Sequence, residues 1–358
     1  MKKRILQVST CVFRYDGLSK VILSLIDNCP CNNSKVYVLL GKGAILEFYK
    51  ELDNRNIRYF EGPDREKDLI GYSIYLYNLL KKGKFDIIHV HGNSATMTIE
   101  MTIAKICGIK TRITHCHNTV TNHPVIHSLL KPILNILVTS PVACGKDAGE
   151  FLYNREFKII PNCIDVSKYE YNQEIRNSVR NELKCKNEIL IGHVGRFTYQ
   201  KNHKLLIKIF YEIQKEIGDS KLLLIGEGEL QDEIKKLVST LNIKDKVLFY
   251  GTADNVNELM QAMDVFILPS RYEGLCITAI EAQAAGLPCL MTNTISRDTK
   301  ISSNCQFIDI NAPIKTWINA VKYIINDNRD RKIGAKEVRE NNYDVAKLKE
   351  IIEEIWNV

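Results

Sequence analysis

Along the first 116 positions, short near-continuous apolar runs alternate with stretches in which apolar residues recur every three or four positions. Near-continuous runs of four to seven mark strands buried on both faces, and the three-to-four spacing marks one face of a helix. The runs predict strands over residues 4–9, 35–40, 58–61, 86–91 and 111–116, with helices over 18–26, 44–53, 68–82 and 96–107 between them. The pattern restarts at residue 188: strands over 188–194, 221–225, 247–250 and 265–268 alternate with helices over 202–217, 230–241 and 256–262. Regular strand–helix alternation is the signature of a parallel, doubly wound sheet. Two such α/β series predict two Rossmann-like domains facing a cleft. Their expected bounds are 1–165 and 188–335, with the polar stretch 166–187 as a linker and a C-terminal helix, 336–358, packing back toward the first domain. The amphipathic tail over 313–356 is broken by Gly334 and Asn341-Asn342.

Composition agrees with this picture and narrows the compartment. With 358 residues, 45% hydrophobic and 25% charged, the chain falls in the ordinary soluble globular class, which excludes disordered, collagen-like and coiled-coil chains. Its apolar runs fall far short of the roughly 18 to 20 residues that span a bilayer. Lys2, Lys3 and Arg4 imitate the start of a signal peptide, but Gln7, Ser9, Thr10 and Arg14 interrupt the apolar stretch that must follow. A cytoplasmic protein is expected. The eleven cysteines are scattered with no Cys-x-x-Cys, and Cys29 and Cys31 merely flank a proline. That usage reads as small buried residues of a reducing compartment, with no disulfide framework and no zinc site.

The net charge of +7 becomes informative when divided: residues 1–165 hold 22 Lys+Arg against 15 Asp+Glu, and the rest of the chain is neutral. A basic first half suggests an anionic partner such as a membrane surface, a phosphorylated acceptor or nucleic acid. Within it, residues 125–138 combine Ile126, Leu129, Leu130, Ile133, Leu134 and Leu137 with Lys131 and the preceding His123. This pattern fits a helix lying on an anionic membrane leaflet and binding it reversibly in salt; a buried core helix would show the same apolar residues.

The densest chemistry lies at Pro269-Ser-Arg-Tyr-Glu273-Gly274-Leu275-Cys276, where an apolar strand ends, a glycine-containing turn follows and a helix begins. The free N–H groups of such a turn and helix start favour a diphosphate. Glu273 precedes the helix and Glu281 lies inside it among Ile280, Ala282 and Ala285. One carboxylate is placed for a sugar hydroxyl and the other for a ribose diol.

Glu273-x7-Glu281 with its Ala284-Ala-Gly-Leu-Pro288 continuation resembles the retaining GT-B glycosyltransferases, in the large branch that builds bacterial surface polysaccharides. Val194-Gly-Arg196-Phe-Thr-Tyr-Gln-Lys201-Asn202, Leu224-Ile-Gly226-Glu-Gly228, Gly251-Thr252-Ala253 and Ile160-Pro-Asn-Cys-Ile-Asp165 match that family in order and spacing, so the resemblance covers nearly the whole chain. It implies transfer of a hexosyl unit, with retention, from a nucleotide sugar such as a UDP-sugar to a hydroxyl of a polysaccharide or lipid-linked saccharide. Arg196 and Lys201 sit where both can converge on a phosphate, replacing the charge neutralisation of a divalent metal. The absence of Asp-x-Asp agrees, and neither a metal nor a cofactor is expected.

The resemblance also marks secondary contacts. Gly226 and Thr252 let backbone approach the base and ribose, and Gly274 and Leu275 line the diphosphate turn. In the first strand-to-helix loop the family commonly has Gly-Gly where this chain has Asp16-Gly17; Gly17, Ser19 and Lys20 remain candidate phosphate contacts. Cys163 stands where the family usually has glycine. Ile113-Thr-His115-Cys-His117-Asn118 resembles the segment that carries a histidine facing the donor sugar. His117 is taken for that role, and strand alternation is read as turning His115 away. Of His89 and His91, His91 beside Gly92 is the better site candidate. A nucleotide-sugar epimerase of the same architecture, or a noncatalytic phosphate- or nucleic-acid-binding module, are the alternatives. The Glu-x7-Glu pattern argues against both, and no nucleic-acid partner is expected.

Overall fold

A computed structural model describes residues 2–14, 17–30, 33–327 and 330–356; Asp16 and Cys31 lie outside the described residues. The chain divides into two compact units, one of Met1–Cys163 with Val345–Val358 and one of Ile164–Asp344.

The first unit runs β1 (Lys3–Ser9), α1 (Gly17–Asp27), β2 (Ser34–Leu40), α2 (Leu46–Asn54), β3 (Arg58–Glu61), α3 (Leu69–Gly83), β4 (Ile87–Gly92), α4 (Thr98–Ile106), β5 (Thr111–Cys116), α5 (Pro124–Leu137), β6 (Ser140–Ala143), α6 (Lys146–Leu152) and β7 (Lys158–Ile159). Its seven strands pair in the order β3-β2-β1-β4-β5-β6-β7, all in parallel. The order reverses between β1 and β4, the switch point outside which open α/β sheets bind their ligands. Ile5, Leu6, Val8, Ile87, Ile88 and Val90 are buried in this centre, as strands covered on both faces require.

The second unit runs α7 (Gln173–Glu182), β8 (Ile189–Val194), α8 (His203–Glu216), β9 (Ser220–Ile225), α9 (Gln231–Thr240), β10 (Val247–Gly251), α10 (Val256–Ala262), β11 (Val265–Leu268), α11 (Ile277–Ala284), β12 (Cys289–Thr292), β13 (Cys305–Ile308), α12 (Ile314–Ile325) and α13 (Ile333–Glu340). Its six parallel strands follow the order β10-β9-β8-β11-β12-β13, with the switch point between β8 and β11. Successive residues of one strand feed two cores. Phe266 and Leu268 pack with Leu259, Ala279 and Ala282 on one side, while Val265 and Ile267 pack with Leu206, Phe210 and Trp317 on the other. This period-two division makes the unit a helix–sheet–helix sandwich.

The stretch expected as a linker is built into the second unit. Val179 and Cys185 are core residues, and Arg176 and Arg180 both pair with Asp264. The tail divides at Asn342, whose φ of 64° breaks the helix; Gly334 lies inside α13 instead. Beyond it α14 (Val345–Trp356) belongs to the first unit, where the Trp356 indole N–H donates to His89 Nδ1 at 3.2 Å. The N–H of Ile164 donates to Tyr343 O at 2.9 Å, pairing the two ends of the second unit with each other.

Candidate active site

In the second unit the candidate residues gather at the carboxyl ends of β8, β9, β10 and β11. After β8, the backbone of residues 195–198 is held against the loop after β9: Gly195 N donates to Ile225 O at 2.9 Å and Phe197 N to Glu227 O at 3.0 Å. Gly226 adopts φ +129°, and a Cβ there would lie 2.4 Å from Gly195 O. Only glycine satisfies both the backbone angle and the contact. Gly195 serves a different need: its bare Cα leaves a path for the Lys201 stem, whose Cδ and Cε would lie 3.1 Å from an added Cβ.

Lys201 Nζ pairs with Glu273 Oε1 at 2.7 Å, and both side chains are largely shielded, at 16% and 12% exposure. Gln200 Nε2 donates to the other carboxylate oxygen at 2.9 Å and to Tyr272 O at 3.0 Å. The ammonium also lies 3.8 Å from Cys276 Sγ. Burial alone would push the lysine down; Cys276 and Glu273 outweigh it and hold it above its ordinary range, so it stays charged. Lys201 follows β8 and Glu273 follows β11, so this pair spans the switch point of the second sheet. Arg196 is half exposed and meets Glu229 at 3.4 Å, a loose surface pair that costs little to exchange for an anion.

Gly274 and Leu275 are buried in the turn before α11. Thr299 braces that turn: its hydroxyl donates to Gly274 O and accepts from Cys276 N, both at 3.4 Å. Glu281, only 3% exposed, accepts from the Tyr169 hydroxyl through Oε1 at 2.8 Å. Burial and the neighbouring carboxylate raise the Tyr169 phenol above its ordinary range. Thr252 is exposed after β10. Gln200 and Tyr169 are site neighbours that the sequence pattern did not single out; Tyr169 lay in the supposed linker, and Gln200 carried only its adjacency to Lys201.

The first unit holds the other candidates at the carboxyl edge of its own sheet. Gly17 opens α1, and Ser19 is buried with its hydroxyl accepting from Arg14 N at 3.1 Å. His91 ends β4 next to Gly92, and His117 follows β5. They meet: His91 Nδ1 and His117 Nε2 are 3.0 Å apart. His115 does not turn away from His117 as expected but stacks on it, with ring centroids 4.1 Å apart. Residues two apart on a strand share a face, so His89, His91, His115 and His117 form one stack on β4 and β5. His89 and His91 are 4.3 Å apart and His91 and His115 5.2 Å. Burial depresses all four, His89 and His117 to about 3, so the stack is neutral near pH 7.

Helix α5 exposes apolar residues besides burying them. His127, Leu134 and Leu137 are buried, while Val125, Leu129 and Ile136 are 70 to 76% exposed and Ile126 and Ile133 47%. Lys131 Nζ donates to Phe151 O at 2.7 Å, at the end of α6. Among the described residues no helix is long and apolar enough to cross a membrane, and no disulfide joins the ten described cysteines.

Comparison with known proteins completes the picture. Residues 174–341 match the family described as glycosyl transferases group 1. The chain is 30% identical to the putative glycosyltransferase EpsF of Bacillus subtilis (strain 168), over 73% of this chain and 71% of that protein. It is 27% identical to the UDP-Gal:alpha-D-GlcNAc-diphosphoundecaprenol alpha-1,3-galactosyltransferase of Escherichia coli, over 79% and 78% of the two chains. In fold it is similar to Anabaena Alr3699/HepE, solved in complex with UDP: the TM-score is 0.82 at 17% identity, over 100% of both chains.

Proposed function

The chain belongs to the group 1 glycosyltransferases, and on that premise we propose a metal-independent transfer of a hexosyl unit, with retention, from a UDP-sugar to a hydroxyl of a lipid-diphosphate-linked saccharide at a membrane surface. The observation that carries the reading is the shielded Lys201–Glu273 pair at the switch point of the second sheet. A charged lysine and a carboxylate that can only accept are placed where a diphosphate and its sugar need opposite services.

In this reading Lys201 and Arg196 neutralise the leaving diphosphate, assisted by the turn at Gly274–Leu275 and the N-terminal end of α11. Glu273, oriented by Gln200, accepts from a hydroxyl of the sugar. Glu281 accepts from the ribose, with Tyr169 holding its other side; Gly226 and Thr252 admit the nucleoside. Gly17 and Ser19 border the acceptor side, and His91 and His117 the sugar. The bond from the anomeric carbon to the β-phosphate oxygen breaks as the acceptor oxygen bonds to the same face of that carbon. The acceptor proton passes to the departing phosphate oxygen, leaving a glycoside and UDP. No protein nucleophile is required.

The membrane part rests on the exposed apolar stripe of α5, on the first unit, which carries the whole excess of +7, and on the lipid-linked substrate in the name of the Escherichia coli relative. An amphipathic surface of that sign suits an anionic leaflet. Released UDP tests the reaction: the purified chain is incubated with UDP-glucose, UDP-galactose and UDP-N-acetylglucosamine, with and without lipid-diphosphate-linked saccharides, in excess EDTA. UDP release from at least one donor, with an α-linked product, is expected. Release that requires added magnesium or manganese, or a β-linked product, would overturn the metal-independent retaining reading.

A further inference from the structure

Gln7 on β1, His91 on β4 and His117 beyond β5 come from three adjacent strands at the carboxyl edge of the first sheet. Both nitrogens of the fully buried His91 are engaged: Nε2 lies 2.7 Å from Gln7 Oε1, and Nδ1 lies 3.0 Å from His117 Nε2. A neutral imidazole carries one N–H and one lone pair. A carbonyl oxygen can only accept, so the His91 proton sits on Nε2. Its Nδ1 then accepts, which requires the His117 proton to sit on Nε2. The His117 Nδ1 lone pair is left over, and that atom is buried with no hydrogen-bond partner among the described residues.

We infer that Gln7 is a positioning residue: through His91 it fixes His117 in the Nε2–H tautomer, so that His117 Nδ1 presents a lone pair to a hydroxyl group of the transferred sugar. The sugar half of this inference rests on the proposed transferase reading. A lone pair held this way selects a donor hydroxyl in one orientation, which an unconstrained imidazole does not. The stacking of His115 on His117 and the 3.3 Å bond from His117 N to Gly92 O hold the ring and its backbone in place.

The same proton order argues against a metal in the stack. Ring nitrogens of His89, His91 and His115 lie within 4.8 Å of one another. His91 has no free lone pair, however, and His89 Nδ1 receives the Trp356 N–H, which places the His89 proton on Nε2. Of these three rings only His115 retains an uncommitted lone pair, too few for a metal centre.

The test uses the full chain labelled with 15N-histidine and two-bond 15N–1H correlations at pH 7. The expected His117 pattern is Nε2–H with an unprotonated Nδ1, and the Nδ1 signal should shift on saturation with UDP-glucose or UDP-galactose. Gln7→Met, close in volume but without an acceptor, should mix the two His117 tautomers and lower kcat about tenfold with donor KM within about twofold, because the loss is one of orientation. An Nδ1–H, mixed or doubly protonated His117 in the unsubstituted chain overturns the relay without recourse to any variant or activity. A folded Gln7→Met chain with an unchanged His117 pattern overturns it equally. An Nε2–H pattern that neither UDP-sugar moves overturns the sugar contact and leaves the relay standing.

Discussion

Lys201 and Glu273 hold each other at 2.7 Å across the point where the strand order of the second sheet reverses. Neither side chain has room to swing freely, because the lysine stem lies over Gly195 and the carboxylate is tied to Gln200. Each residue therefore fixes the other before any substrate arrives, and the cost of ordering them is already met in the fold.

Single substitutions of the pair should be costly and non-additive. Lys201→Met leaves a shielded carboxylate unpaired and Glu273→Gln leaves a shielded ammonium unpaired. Each is expected to lower kcat/KM for UDP release about 10- to 100-fold, at roughly 1.5 to 3 kcal/mol per charged hydrogen bond. The double variant should lose less than the product of the two. Strict multiplicativity would show that the pair does not act as a unit.

Arg196→Ala should separate binding from stability. The contact with Glu229 is exposed, so its loss should leave the melting temperature nearly unchanged. Donor kcat/KM should fall at least tenfold, and calorimetry with UDP should show weaker binding. Unchanged UDP affinity would remove Arg196 from the diphosphate site.

Gly226→Ala should damage the second unit itself. The new methyl group would meet a backbone oxygen at 2.4 Å in a backbone conformation that alanine resists. A loss of roughly 2 to 4 kcal/mol in denaturant unfolding is expected, together with reduced UDP binding. A variant as stable as the parent would contradict the close approach.

Acid should unfold the protein through its buried histidines. His89 is depressed by burial to about 3 and His193 to about 4, both below the usual unfolded value near 6.5. The unfolded chain thus binds more protons than the folded one between those limits. Stability is complete above about pH 6.5 and falls as the pH drops toward 4. Two such groups account for about 5 kcal/mol between pH 6 and pH 4. Denaturant midpoints across that range check the slope, and a flat profile would mean that these rings are protonated in the fold.

The outer face of α5 gives a vesicle test. Leu129→Ser with Ile136→Ser removes two exposed apolar side chains, worth about 1 kcal/mol each if they enter the acyl boundary. Co-sedimentation with anionic vesicles should drop at least tenfold while the far-ultraviolet spectrum is retained. Added salt should weaken binding, because it screens the +7 of the first unit. Equal binding by the parent and the double variant would exclude α5 as the docking face.

Much of the fold was legible because the long elements carry strong periods. β1, β4, β8 and β9 are largely apolar, and α8 shows one clear apolar face. The elements that went unseen are short or atypical. β6 contains Pro141, β7 is two residues long, and β12 and β13 have four residues each. α7 is so polar that it resembled a linker; its arginines reach Asp264, eighty-odd positions away. At the candidate site, the motif spacing singled out Lys201 and Glu273 but not their contact, which depends on how β8 and β11 are paired. The stack of four histidines was legible in their two-residue spacing, and the error about His115 came from misapplying that period. Its proton order was not legible, since it depends on Gln7 and Trp356 at opposite ends of the chain.

The hydrogen bond between Ile164 and Tyr343 joins the point where the polypeptide enters the second unit to the point where it leaves. Residues 164–344 are therefore an insertion with abutting ends, and the first unit is interrupted at one place only. A recombination event that exchanges this segment needs two junctions that already lie side by side, and neither cuts a strand or a helix. Such an arrangement lets the segment bearing Arg196, Lys201, Glu273 and Glu281 be exchanged as one piece while the first unit keeps its own sheet intact.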